Sequence, residues 1–421
     1  MNGPEHFLVP DHVFDGHMVH HGVAIGVAGE RVTRLVDLTT LSTDATRIDL
    51  AGATITPGLI DAHLHLTPWM VYGLTAAGVT TVRDLGNNVE VVGPMLQEIS
   101  DVPLPTILWS GPLLESDRVN WPSIARPHHT SDEIRTTVDW LAGLGVSSIK
   151  LYANATPDLV VAATDQARRH GLRVLHHLGA SRFADAVAAG VDELQHLAGC
   201  LAKDLGETDW AAAAQRVAAV PIDHCPTLVV WDALAHLGNP GLRRDRGFDW
   251  VPQQVRKAWA GVHQVHQPAA DRVRRILELA ERMAAIPHLY AAGRTLLIGS
   301  DAPFPGLVPG FSLHDEAGML VESGMPSLDV MRALTSGNAA AIGARDAGTI
   351  EEGSVADLVA FAGDPTSTIA ELSEIVGVWR TGVQIDLVQL AHSAARWFES
   401  NTNSPVDRLG ELFYLPATAP R

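Results

Sequence analysis

Hydrophobic and polar positions fall into distinct regimes along the chain. Over the first 56 residues the apolar runs are short or alternating, as in Val23–Val27 and Arg31–Val36, and Gly and Asp punctuate them. That pattern predicts short antiparallel strands. From Leu59 the pattern changes. Brief, nearly continuous apolar runs alternate with longer stretches of helical period. The candidate strands are Leu59–His65, Val79–Asp84, Thr106–Ser110, Val146–Tyr152, Leu172–His177, Val191–His196, Val220–His224 and Thr295–Asp301. Between them, Ser131 can cap a helix running to Leu144, with Asp132 and Glu133 in its first turn. Pro157 opens another helix that reaches His170 and stops at Gly171. Asp271–Gly293 is long and amphipathic. Eight such alternations over about 240 residues have the size and rhythm of a (β/α)8 TIM barrel. A doubly wound open sheet is the runner-up, but no Gly-x-Gly-x-x-Gly follows a strand.

Strand signals return at Gly348–Ser354 and Ala356–Phe361. The expected organisation is therefore discontinuous. Residues 1–56 and 345–390 form a small β-sandwich domain, residues 57–344 form the barrel, and residues 391–421 form a C-terminal tail. The segment Thr227–Pro268 breaks the alternation and is rich in Trp, His and Arg. A long insertion after a barrel strand often covers the active site. The tail, with Arg396-Trp397-Phe398, carries one apolar patch that can dock on a neighbouring subunit or stay mobile.

Composition narrows the class. A chain of 421 residues with 46% hydrophobic and 5% aromatic residues suits a large α/β protein. The formal net charge of -18 argues against a broad nucleic-acid or anionic-membrane surface. Two cysteines, Cys200 and Cys225, exclude a disulfide scaffold and fit a reducing cytoplasm. The first residues lack the basic start and apolar core of a signal peptide, and no apolar run is long enough to span a bilayer. A cytoplasmic protein that forms a homo-oligomer is expected.

Chemistry gathers at the ends of the candidate strands. The first ends in His63-Leu64-His65, whose imidazoles share a strand face and can grip one metal ion. The fourth carries Lys150, the fifth ends in His176-His177, the sixth in Gln195-His196 and the eighth in Ser300-Asp301. Each alone also reads as a satisfied core or surface residue. Together, at the matching end of five strands, they read as a site. Strand alternation lets only one of His176 and His177 point inward.

This order resembles the amidohydrolase superfamily of metal-dependent hydrolases. The similar motifs are Pro57–His65 for strand one, Gly78–Asp84 for strand two, Ile298–Ala302 for strand eight and Gly348–Val359 for the return into the β domain. The flavour is that of the imidazolonepropionase-like and Xaa-Pro-dipeptidase-like branch. The resemblance implies two divalent metal ions, usually Zn2+, with manganese, cobalt or iron as alternatives. It implies that His63, His65 and Asp301 hold the buried metal, that His177 and His196 hold the outer one, and that carboxylated Lys150 bridges them. The strand-five ligand falls on His177 by the family spacing. The implied reaction is attack by a metal-bridged hydroxide on an amide carbonyl, with Asp301 as general base and then acid. Asp61 is a candidate second-shell partner, and Asn338 resembles a structural residue of a helix under the barrel.

Substrate contacts are harder to read. Tyr152 can donate to an oxyanion or simply pack. In the loop Leu113–Thr130, Trp121, Arg126, His128 and His129 are candidates, with Arg126 pairing a substrate carboxylate and either histidine touching the carbonyl. The family's Gly-His-Gly element is absent there. His224, Trp231, His236, Trp250 and Trp259 suit a peptide-like ligand or the lid's own core, and both cysteines could line the pocket. The leading expectation is hydrolysis of a C–N amide bond in a peptide-like or N-acyl amino-acid substrate. A cyclic-amide ring-opening enzyme, a lyase or decarboxylase, and a silent binding protein on the same fold are the alternatives.

Overall fold

The computed structural model describes residues 4–88, 93–94, 99, 102–237, 246–263 and 268–401. The insertion's residues 238–245 and 264–267, and the tail beyond 401, lie outside these.

Both termini build one mixed sheet. Its strands are β1 (His6–Phe14), β2 (Val19–His21), β3 (Val23–Ala28), β4 (Arg31–Asp37) and β5 (Arg47–Pro57) from the N-terminal side. The central strands are β6 (Leu59–Leu64), β7 (Val79–Asp84), β8 (Thr106–Trp109), β9 (Leu113–Glu115), β10 (Ala125–Pro127), β11 (Ser148–Leu151), β12 (Arg173–His176), β13 (Glu193–Gln195) and β14 (Asp223–Cys225). The late strands β15 (Leu358–Ala362), β16 (Ile375–Arg380) and β17 (Val383–Gln384) return to the terminal sheet. That sheet runs β17-β16-β15-β5-β1-β3-β4 with β2 paired to β1. The sandwich expected from sequence is thus a single eight-stranded sheet by hydrogen bonding. Leu8, Val27, Ile55, Leu358 and Trp379 form its own small core, while Phe14, Val359 and Phe361 join the main one. Gly348–Ser354 is a turn rather than a strand, tied in by Ile350 N to Asp15 O and Gly353 N to Val32 O.

The middle is mixed α/β, consistent with a TIM barrel. Parallel strands form two sheets, β6-β7-β8 and β10-β9-β11-β12-β13-β14. Every residue of β6, β7 and β11 is buried, as expected where helices cover parallel strands. The sheets meet at two places. Ser147 N donates to Trp109 O at 2.9 Å, joining β8 to the residue before β11. On the other side, residues 295–302 run between β14 and β6. His224 N donates to Thr295 O, Ala62 N to Ile298 O, and Asp301 N to His63 O.

That eighth segment forms no regular strand, because side chains take over part of its ladder. Asn338 accepts from Ile298 N at 3.0 Å and donates to the carbonyls of Ile60 and Ile298 at 2.8 Å each. The buried Asp61 carboxylate accepts from Ser300 N, Ser300 Oγ and His63 N. Asp61 therefore ties strand one to strand eight through backbone and hydroxyl, and touches no imidazole nitrogen. Gly299 is required here, since a Cβ would fall 2.6 Å from His63 N.

The helix after β10 spans Ser131–Gly143 and is capped by Thr130, one residue earlier than expected. Thr130 is extended, and its hydroxyl and the Glu133 carboxylate form a capping box. The C-terminal helix Leu387–Ser400 docks on its own chain rather than extending away. Trp397 and Phe398 lie 6.3 and 6.0 Å from the Tyr72 ring. No described helix is long and apolar enough to cross a membrane.

Asn338→Leu should expose the role of the eighth segment. It leaves Ile298 N and Ile60 O buried without partners, at about 1–3 kcal/mol each. The expected result is a loss of roughly 2–5 kcal/mol, read as a lower denaturant midpoint at unchanged slope.

Candidate metal centre

Four imidazoles form a chain across the C-terminal ends of the central strands. Ring centroids are 5.6 Å apart for His65 and His63, 4.8 Å for His63 and His196, and 4.6 Å for His196 and His177. Asp301 closes the cluster. Its Oδ1 lies 3.2 Å from His63 Nε2 and 3.3 Å from His65 Nε2. Ligand atoms of His63, His196 and Asp301 all lie within 4.8 Å of one another.

The proton positions follow from the partners. His63 Nδ1 donates to Gln195 Oε1 at 2.6 Å, because the Gln195 amide nitrogen is already bonded to Glu193. His65 Nδ1 donates to Gly86 O at 3.0 Å. His196 Nδ1 donates to Thr227 Oγ1 at 2.6 Å, because that hydroxyl donates to Pro226 O. Each ring thus keeps a lone pair at Nε2, the form a metal needs. His177 Nδ1 and Lys150 Nζ are buried with no hydrogen-bond partner among the described residues. His176 turns away: its Nε2 meets Ser181 Oγ at 2.5 Å and its Nδ1 faces Leu151 O.

Burial keeps these groups in their neutral forms. It pulls His63 down to about 4 and His177 to about 3, helped in both by Lys150, and takes His196 well below its ordinary value. It also lowers Lys150 to about 7 against the pull of Asp301. Burial alone would raise Asp301, but His63 and His196 hold it well below the usual carboxylate range. His65 goes the other way, since Asp301 outweighs burial and raises it. The neutral imidazoles of His63, His177 and His196 and an ionised carboxylate are a donor set that suits a divalent cation.

Backbone strain concentrates here. His196, Thr227 and Asp301 have φ of 65°, 46° and 56°, left-handed values that non-glycine residues rarely adopt. The carbonyl of His196 is pinned by Trp231 Nε1 at 3.0 Å and Arg282 Nε at 2.9 Å. The Arg282 guanidinium lies 3.4 Å from the Trp231 ring centre.

A cavity of roughly 260 Å³ opens above the cluster, with His65, His177, His196 and Asp301 at its floor. Tyr152 and Trp121 line it together, and Trp121 Nε1 donates to the Tyr152 hydroxyl at 3.0 Å. Burial raises the Tyr152 phenol above its ordinary value, so it stays protonated. The other loop candidates do not reach the cavity. Arg126 is exposed, with its guanidinium 4.9 Å from the Trp140 ring. His128 is buried between Glu115 O and Thr137 Oγ1. His129 is exposed, and its backbone N–H donates to Glu133. The reason is the Glu115 carboxylate, which accepts from Asn120 and Asn154 and bends the loop so that Trp121 faces inward. Of the insertion's aromatics, Trp231 lines the cavity, while Trp259 packs against Trp69 and Phe248. Neither cysteine lines it, and burial pushes the Cys200 thiol up to about 12.

Beneath the site lies a group of partners that the sequence reading left out. Arg83 donates to both Glu193 oxygens and, through Nε, to Ala62 O at 2.7 Å. Glu193 accepts from Gln195, which accepts from His63. A charge inside each of two apolar strands was the available signal.

The Amidohydrolase family model matches residues 54–388. Among curated proteins, Adenine deaminase 2 of Rhizobium johnstonii is 24% identical over 347 residues, covering 80% of this chain and 50% of its own. The chain therefore spans about half the length of the curated relatives it matches. Among solved structures, a bottromycin amidohydrolase superposes with a TM-score of 0.73 at 23% identity, over 95% of this chain and 91% of its own. A Xaa-Pro dipeptidase with bound methionine in the active site gives 0.70 at 20%, over 91% and 100%.

Gln195→Leu should weaken the site without unfolding the chain. Outer partners of metal ligands are typically worth 10–100-fold in affinity. A drop of that size for Zn2+ is expected in competition with a chelator, and Thr227→Val should act likewise through His196.

Proposed function

The chain belongs to the amidohydrolase family, and from that premise we propose that it is a metal-dependent hydrolase cutting a C–N amide bond in a peptide-like or N-acyl amino-acid substrate. The observation that carries the reading is the chain of four imidazoles closed by Asp301, of which His65, His177, His196 and Asp301 line one cavity while His63 and the Lys150 amine are buried out of it. We take the central parallel strands together with the segment 295–302 as one closed barrel with these groups at its C-terminal ends, and residues 1–56 with 345–390 as a separate β unit.

His63, His65 and Asp301 would hold one ion, and His177 and His196 a second. A neutral Lys150 amine can add carbon dioxide to form a carbamate, losing one proton, and so become an anionic bridging ligand. Burial that lowers its pKa to about 7 favours that neutral amine. Bound divalent ions would supply Lewis acidity and a water acidified toward neutrality. The chain's own groups do the rest. Asp301 takes the proton of the attacking water and hands it to the leaving nitrogen. Tyr152 accepts from Trp121, which leaves its own O–H to donate to the developing oxyanion. Acid and amine are the products.

A second reading keeps the C–N hydrolysis and changes the substrate to a ring. The relatives named adenine deaminases and the flat faces of Trp121 and Trp231 support it. Product analysis separates the two readings.

Elemental analysis should find about two divalent ions per chain, falling in Lys150→Ala. Asp301→Asn should lower turnover by about 10²–10⁴-fold. Zero or one ion, unchanged by the Lys150 substitution, would sink the bridged assignment.

A further inference from the structure

The walls of the cavity differ in chemistry from its floor. Trp121 and Leu113 form one wall, Val230, Trp231 and Leu234 another, and Phe304 a third. Among the described residues no lysine or arginine lines the cavity. The two arginines that come nearest in the argument are committed elsewhere. Arg126 lies over Trp140, and Arg282 donates to His196 O and Glu278 O. The indole N–H groups are spent as well, on Tyr152 and on His196 O. Besides the Tyr152 hydroxyl, what the described residues leave on the walls is aromatic face and aliphatic surface.

A carboxylate pressed against such walls would lose its water and gain no cationic partner, the Tyr152 hydroxyl being a single neutral donor. An aromatic ring would lose nothing and gain stacking on either indole. The volume sets the size. A cavity of about 150 Å³ holds a benzene, so roughly 260 Å³ holds one ring, an amide and a few further atoms.

Narrowing the substrate named above to peptide-like amides without a free carboxyl, and setting aside its N-acyl amino-acid version, we propose that this pocket selects uncharged substrates, an aromatic or bulky apolar acyl amide without a free carboxylate near the scissile bond, and turns away free dipeptides and N-acyl amino acids with an ionised carboxyl. The activity arm of the test rests on the hydrolase reading, while the binding arm does not.

The test compares N-benzoylglycinamide with N-benzoylglycine, which share ring and amide and differ in charge. On the full chain stripped of metal, calorimetry should show the neutral amide binding at least tenfold tighter. Leu234→Arg, which puts a cation on the wall, should reverse that order. On the zinc-loaded protein, benzoate release should favour the neutral amide in kcat/KM by a similar factor. Equal binding, tighter binding of the anion, or no binding of the amide by wild type would overturn the proposal. Selective binding of the amide with no benzoate release would leave the pocket assignment standing and remove the hydrolase reading instead.

Discussion

Beneath the imidazole cluster, a buried ion pair decides what the cluster can be. Arg83 on β7 and Glu193 on β13 meet from two different sheets, 1% and 0% exposed. Two charges this far from water are tolerated only when every donor and acceptor is used, and removing one partner of such a pair typically costs about 3–5 kcal/mol. Here the surplus capacity of Glu193 is spent on Gln195, and that of Arg83 on the Ala62 carbonyl. Gln195 can then turn only its oxygen toward His63, which forces the His63 proton onto Nδ1. A charge pair on one level thereby sets a tautomer on the next.

The same site explains where regular structure stops. Asp301 and His196 sit in left-handed backbone that a strand cannot contain, and such residues cost roughly 1–3 kcal/mol each. The eighth segment keeps single backbone bonds there, such as Asp301 N to His63 O, while Asn338 and Asp61 take over the N–H groups of Ile298 and Ser300. Irregularity and function coincide because a side chain aimed along the axis of the strands needs a backbone that leaves the sheet.

How much of this was legible differs residue by residue. His63, His65, Lys150, His196 and Asp301 stand out in sequence because each interrupts an apolar run where a strand should end, and local period alone places them. The choice between His176 and His177 rested in sequence on the family spacing, and in the structure the hydroxyl of Ser181, five residues on, holds His176 aside. Arg126, His128 and His129 were read from charge in a loop. The loop's path depends on Glu115 reaching Asn154, 39 residues away, and no local pattern carries that. The joining of both terminal segments in one hydrogen-bonded sheet is likewise a matter of pairing between β5 and β15, which are distant in sequence.

The shared carbonyl of His196 has a thermodynamic consequence. Trp231, a wall of the pocket, and Arg282, behind the ligand cluster, both hold the residue that presents one imidazole. Pocket and cluster therefore have a common mechanical support. An occupant that moves the indole acts on the residue that presents the His196 imidazole, and by reciprocity whatever moves that imidazole acts on the occupant.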